Sequence, residues 1–91
     1  MSKKRVQVVI RGRVQGVGFR ASCARRAVAL GVTGWVRNEW DDSVEALFEG
    51  DAGAVDQMVA WCWQGPAMAE VTGVEVMDAP PGSPDQSFRI R

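Results

Sequence analysis

The stretch Arg11–Arg20, RGRVQGVGFR, brings arginine and glycine together at a spacing that could hold an anion. Gly16 and Gly18 can take φ > 0 without the steric penalty that a side chain brings. Successive amides around them can then point inward as a nest. A helix that starts just beyond aims its unpaired N–H groups at the same spot. A phosphate fits such a cradle. Arg20, in the first turn of that helix, can reach the same anion, and its planar fork grips two oxygens at once, which lysine cannot do. The candidate phosphate holders are therefore the backbone amides of Gln15, Gly16, Val17, Gly18, Phe19 and Arg20, with the Arg20 guanidinium as their charged partner. A tight glycine turn beside an exposed arginine would use the same residue types.

The elements around this loop follow from periodicity. Residues Arg5–Arg13 alternate Val6, Val8 and Ile10 with Gln7, Val9 and Arg11, which predicts a first strand. RASCARRAVAL, Arg20–Leu30, is rich in alanine and free of glycine and proline, and predicts a helix. Cys23, Ala24, Ala27 and Leu30 form its inner stripe, Arg25 and Arg26 its wet face, and Gly31 or Gly34 its stop. Trp35–Glu39 reads as a second strand, WDDS as a turn and Val44–Glu49 as a third strand. So short a link permits an antiparallel hairpin and forbids a parallel crossover, which needs roughly a dozen residues. Asp51 is a candidate cap for a second helix that runs to about Gln64, with Val55, Met58, Val59 and Cys62 on one buried stripe. Val71–Met77 is a fourth strand, DAPPGSPDQ a loop and SFRIR a short terminal strand at a sheet edge.

The order β-α-β-β-α-β predicts an α+β fold, the ferredoxin-like split βαβ arrangement. It is a two-layer sandwich with an antiparallel sheet and two helices on one face. Right-handed crossovers make the helices antiparallel, which brings Cys23 and Cys62 to the same end of the molecule. Reduced core thiols are expected there rather than a disulfide. Trp35, Trp61 and Trp63 read as packing residues, and Trp40 as a partly exposed turn residue.

At 91 residues the chain is long enough for one domain, 1–91, with one modest core. No apolar run approaches the ~18 to 20 residues of a membrane span. The basic start holds too short an apolar run for a secretory signal, so a cytoplasmic protein is expected. The net formal charge is zero, yet residues 1–37 hold nine Lys or Arg and no acid, while residues 38–88 hold all eleven acids and no Lys or Arg. Two consequences are compatible: the halves attract each other, and the basic half focuses an anionic ligand near Arg11–Arg20. Arg11 and Arg13 would then set the field rather than bind. A sequence pI of about 6.2 speaks against a general nucleic-acid binder. There is no histidine, which excludes a Ser-His-Asp triad, a Cys-His pair and a His-ligated metal. Cys23 and Cys62 lack zinc-type spacing.

GVGFRA, Gly16–Ala21, also fits the dinucleotide pattern G-x-G-x-x-A between a strand and a helix, with Glu39 where a ribose-binding acid would stand. The hairpin after Glu39 breaks the parallel sheet that such a fold requires. The chain is also too short for a dinucleotide domain and a catalytic one.

GRVQGVGFR at Gly12–Arg20, followed by GWVRN at Gly34–Asn38, closely resembles the acylphosphatases. Gly65-Pro66 with Ala69 and Val71, and the closing FRIR, are also similar to that family, so the resemblance covers nearly the whole chain. It implies hydrolysis of the carboxyl–phosphate bond of a small-molecule acyl phosphate to carboxylate and inorganic phosphate. By the motif match, Arg20 binds the phosphate and Asn38 positions the attacking water. The amides of Gln15 to Arg20 hold the phosphoryl oxygens. The resemblance implies no metal, no cofactor and no covalent intermediate. The expected protein is a monomer without nucleic-acid or membrane partners. Met1 and the terminal FRIR argue for a free-standing chain rather than a domain of a larger maturation enzyme. A non-catalytic module binding phosphate or RNA on the same fold is the alternative. The absence of tyrosine and of a basic sheet face speaks against RNA stacking. The chain departs from the family pattern in the hairpin, where Trp40-Asp41-Asp42 replaces the usual Asp-Gly. Two acids there could weaken anion binding. Ala21 and Cys23 stand where bulkier residues are common, which predicts looser packing beneath the loop.

Overall fold

A computed structural model of the chain describes residues 2–80 and 86–91. The strands are β1 (Lys3–Arg13), β2 (Thr33–Asn38), β3 (Val44–Asp51), β4 (Glu70–Asp78) and β5 (Phe88–Ile90). The helices are α1 (Phe19–Leu30) and α2 (Ala52–Gln64). The five strands form one sheet in the order β4-β1-β3-β2-β5. This is the ferredoxin-like α+β fold. Of the predicted loop DAPPGSPDQ, residues 81–85 lie outside the described residues.

Alternation sorts the central strands into two faces. Val6, Val8 and Ile10 of β1, Val36 of β2, and Val44, Ala46 and Phe48 of β3 are fully buried on the face that the helices cover. The helices meet them with Phe19, Cys23 and Ala27 from α1 and with Val55, Met58 and Cys62 from α2. Burying each of the larger apolar side chains contributes about 1.5–3 kcal/mol, so this layer contact holds α1 against β2 and β5, and α2 against β1, β3 and β4. Phe19 packs on Trp61 with ring centroids 5.2 Å apart. Phe19 and the fully buried Cys23 belong to the core at the start of α1.

Several expectations are sharpened. Helix α1 starts one residue earlier than predicted, at Phe19, and Gly31 ends it through bonds to the carbonyls of Ala27 and Val28. Asp51 stands at the N-cap of α2 but makes no side-chain capping bond; its carboxylate faces the Lys3 ammonium at 3.8 Å. The terminal strand β5 lies at a sheet edge as expected, but it pairs parallel with β2. The other pairings are antiparallel. Cys23 and Cys62 are free, buried thiols. Burial, helped by the neighbouring Cys62, pushes the Cys23 thiol far up, and burial pushes Cys62 up to about 12. Trp61 is partly buried and packs against the core as predicted, and Trp35 lies half-buried on the open sheet face under the guanidinium groups of Arg37 and Arg91, at 4.7 and 4.9 Å. Trp63 is 55% exposed, not a packing residue, because it falls outside the α2 stripe that Val55, Met58 and Cys62 define. Trp40, at the hairpin tip, is wholly exposed. No helix among the described residues is long and apolar enough to cross a membrane.

Candidate active site

Residues Val14–Gly18 join the end of β1 to the start of α1. Gly16 and Gly18 both take left-handed backbone, at φ 73° and 79°. Only glycine does so at no steric cost, and the two reversals curl the chain around a hollow. Gly18 is the N-cap of α1 and provides no side-chain cap, and the first turn carries no acid. Helical bonding begins only with the Ser22 amide, which donates to the Gly18 carbonyl at 3.1 Å. Among the described residues, the amides from Gln15 to Ala21 donate to no protein acceptor. A helix N-terminus with unpaired amides attracts negative charge.

The hollow is a cavity of about 210 Å³. Gly16, Gly18, Phe19 and Arg20 line it from the loop and helix, and Asn38 lines it from the end of β2. Residues 20 and 38 are thus brought together by the pairing of the elements that carry them. Neither the Arg20 guanidinium nor the Asn38 carboxamide has a partner among the described residues. Gln15 and Val17 do not line the cavity: Val17 leans on the core, and the Gln15 side chain turns toward the β2–β3 hairpin. Arg13, expected to set the field, is exposed, and Arg11 is committed elsewhere, 3.2 Å from Asp41 and 3.5 Å from Glu75. Trp40 does not border the cavity.

Three wall residues escape a sequence reading: buried Val14, Ala21 and the terminal-strand Ile90. Ile90 arrives because β5 sets it beside Val36. The alternation of Phe88 and Ile90 was the only signal for it. Of the two hairpin acids, Asp41 is engaged locally. Asp41 accepts from the Ser43 hydroxyl at 2.5 Å, from the Ser43 amide at 3.1 Å and from Arg11. Asp42 holds the left-handed turn position at φ 72°, as expected of aspartate there. Among the described residues, no group of three or more Cys, Asp or Glu could hold a metal ion.

Residues 6–90 match the acylphosphatase family. The chain belongs to the acylphosphatase family. An acylphosphatase of Rubrobacter xylanophilus is 56% identical over 88 residues, which span 97% of this chain and 80% of that relative. Solved acylphosphatases from Coxiella burnetii and Bacillus subtilis superpose with TM-scores of 0.93 and 0.92, at 32% and 31% identity. The first comparison covers 98% of this chain and 93% of the other, the second 99% of each. Acylphosphatases hydrolyse the carboxyl–phosphate bond of acyl phosphates, and that is the activity of this chain.

Proposed function

We propose that Arg20 and Asn38 carry this hydrolysis, and that the amides of Gln15 to Arg20 hold the phosphoryl group. The observation that supports it is the shared cavity: both side chains border it, and neither has another partner among the described residues. Arg20 and the loop amides would neutralise charge on the equatorial phosphoryl oxygens, which is most of what phosphoryl transfer asks of a protein. Asn38 would accept a hydrogen bond from water through its carbonyl oxygen and donate through its NH2, and so orient the water for in-line attack. An amide is no strong base, so a phosphoryl oxygen of the substrate takes the proton. The carboxylate leaves as a stable anion, since a model carboxyl has a pKa of about 4, so no strong general acid is needed. The proposed mechanism uses no metal, cofactor or covalent intermediate.

The working form is taken to be a monomer, one domain over residues 1–91, in the cytoplasm and without a nucleic-acid partner. Hydrolysis of benzoyl phosphate without added metal tests the site. Arg20→Gln and Asn38→Ala should each lower kcat/KM by at least ~100-fold, the scale of losing a key charge-stabilising group. Full activity in both variants would overturn the assignment.

A further inference from the structure

The two halves of the site come from different elements. The phosphate loop follows β1, whereas Asn38 ends β2 and is followed by the hairpin into β3. In-line attack needs the water on Asn38 and the phosphoryl group on the loop to be in fixed relation, since a misplacement of about 1 Å can cost 100-fold. Something must therefore set the loop against the hairpin.

One side chain spans them. Gln15 Nε2 donates to the carbonyl oxygen of Glu39 and to that of Ser43, each at 2.9 Å. Both acceptors are carbonyl oxygens, so only the NH2 of the carboxamide can face them, and both of its hydrogens are used. The two carbonyls stand on opposite legs of the hairpin. The turn is closed by the Glu39 amide donating to Ser43 O at 2.9 Å and the Asp42 amide donating to Glu39 O at 3.3 Å. Ser43, a buried polar residue, is held again by Asp41. Gln15 thus grips both legs of a closed turn, one residue from Asn38 on the strand side and one residue from Gly16 on the loop side.

We propose that the Gln15 side chain is a positioning residue, clamping the phosphate loop to the hairpin that carries Asn38 and so fixing the water against the phosphoryl group. Its role is separate from that of its own backbone amide, and it rests on the roles proposed for Arg20 and Asn38. Neither glutamate nor alanine can replace it: a carboxylate would face two carbonyl oxygens with no hydrogen to offer, and alanine leaves both carbonyls without this donor.

The test measures kcat and KM for benzoyl phosphate, and inhibition by inorganic phosphate. It compares wild type, Gln15→Ala, Gln15→Glu, Asn38→Ala and the Gln15→Ala/Asn38→Ala double variant. Gln15→Ala should lower kcat by about 10- to 100-fold, with phosphate inhibition changed by less than about threefold. In the Asn38→Ala background the same substitution should cost less than about threefold, because nothing is left to position. Gln15→Glu should be as poor near neutral pH and should recover relative to wild type as the pH falls to about 5, where a protonated carboxyl regains one O–H donor. Equal losses in both backgrounds, an unchanged kcat, or phosphate affinity falling in step with kcat would each overturn the clamp. Hydrogen exchange needs no activity: the Glu39 and Asp42 amides should exchange about tenfold faster in Gln15→Ala, while the β1–β3 ladder stays protected. Unchanged exchange there sinks the clamp. An inactive wild type with slow Glu39 exchange that depends on Gln15 would instead leave the clamp standing and remove the proposed catalytic roles.

Discussion

Asp41 is a hairpin carboxylate whose charge is held by donors close to it. The Ser43 hydroxyl first, then the Ser43 amide and the Arg11 guanidinium, hold its carboxyl down to about 2. Its charge is therefore engaged by Ser43 of its own turn and by Arg11 of β1. The folded value lies below the ordinary carboxyl value of about 4, so these bonds are in place above about pH 4. They are lost as pH falls through about 2. A carbon-13 titration of Asp41 should show a midpoint near 2, and Ser43→Ala should raise it toward the ordinary range. An unmoved midpoint in Ser43→Ala would assign the shift to the residue-43 amide and Arg11 instead of the hydroxyl. At this scale, legibility depended on the range of the interaction. Gly16, Gly18 and Arg20 could be read because positive φ, a helix start and a guanidinium act on their immediate neighbours. The carboxamide of Gln15 could not, because its acceptors lie 24 and 28 residues away, and only the folded hairpin brings them near.

The elements were readable where periodicity speaks, and silent where one strand meets another. Alternation in β1 and β3 and the apolar stripes of both helices marked the core faces that are in fact buried. The partner of β5 carried no such mark: its parallel seat beside β2 depends on the Gly34 amide donating to Ser87 O and the Arg91 amide donating to Val36 O, at 3.1 and 2.8 Å. Gly34 itself looked like a possible helix stop. Its reason is cross-strand: a Cβ there would lie 1.8 Å from the Leu47 carbonyl oxygen, and its φ is 134°. The obstructing atom is backbone in the middle of a ladder, so neither strand can yield without losing register. Gly34→Ala should therefore destabilise the fold by at least about 3 kcal/mol, combining steric overlap with a conformation alanine avoids. Urea denaturation measures this, and a midpoint within error of wild type would count against the close approach. Because Asn38 ends the same strand, any folded fraction should also lose activity.

Across the whole molecule the lopsided charge serves one expected end in plain view: the two halves attract each other. Each cation of the basic half that pairs with an acid does so across the divide: Lys3 with Asp51, Lys4 with Asp56, Arg5 with Glu49, Arg11 with Asp41 and Glu75, and Arg37 with Glu39 and Glu45. Most of these pairs reach solvent and stabilise little, so their larger effect is on where charge is left over. Arg13, Arg20, Arg25 and Arg26 make no ion pair among the described residues, and Arg25 only donates to the Ser22 hydroxyl, at 3.2 Å. These cations flank the phosphate loop or ride on α1, whose unpaired N-terminus opens into the cavity. Arg25 and Arg26 follow Arg20 by five and six residues, which at ~1.5 Å rise per residue places them roughly 8–9 Å along the axis. That is about one Debye length at physiological salt, a range at which they would act as field and not as ligands. The double change Arg25→Glu/Arg26→Glu should lower kcat/KM for benzoyl phosphate about threefold at low ionic strength, leave kcat nearly unchanged, and lose its effect at about 1 M salt. A loss that persists at high salt, or one seated in kcat, would mean that these arginines touch the substrate or the fold rather than guide an anion to Arg20.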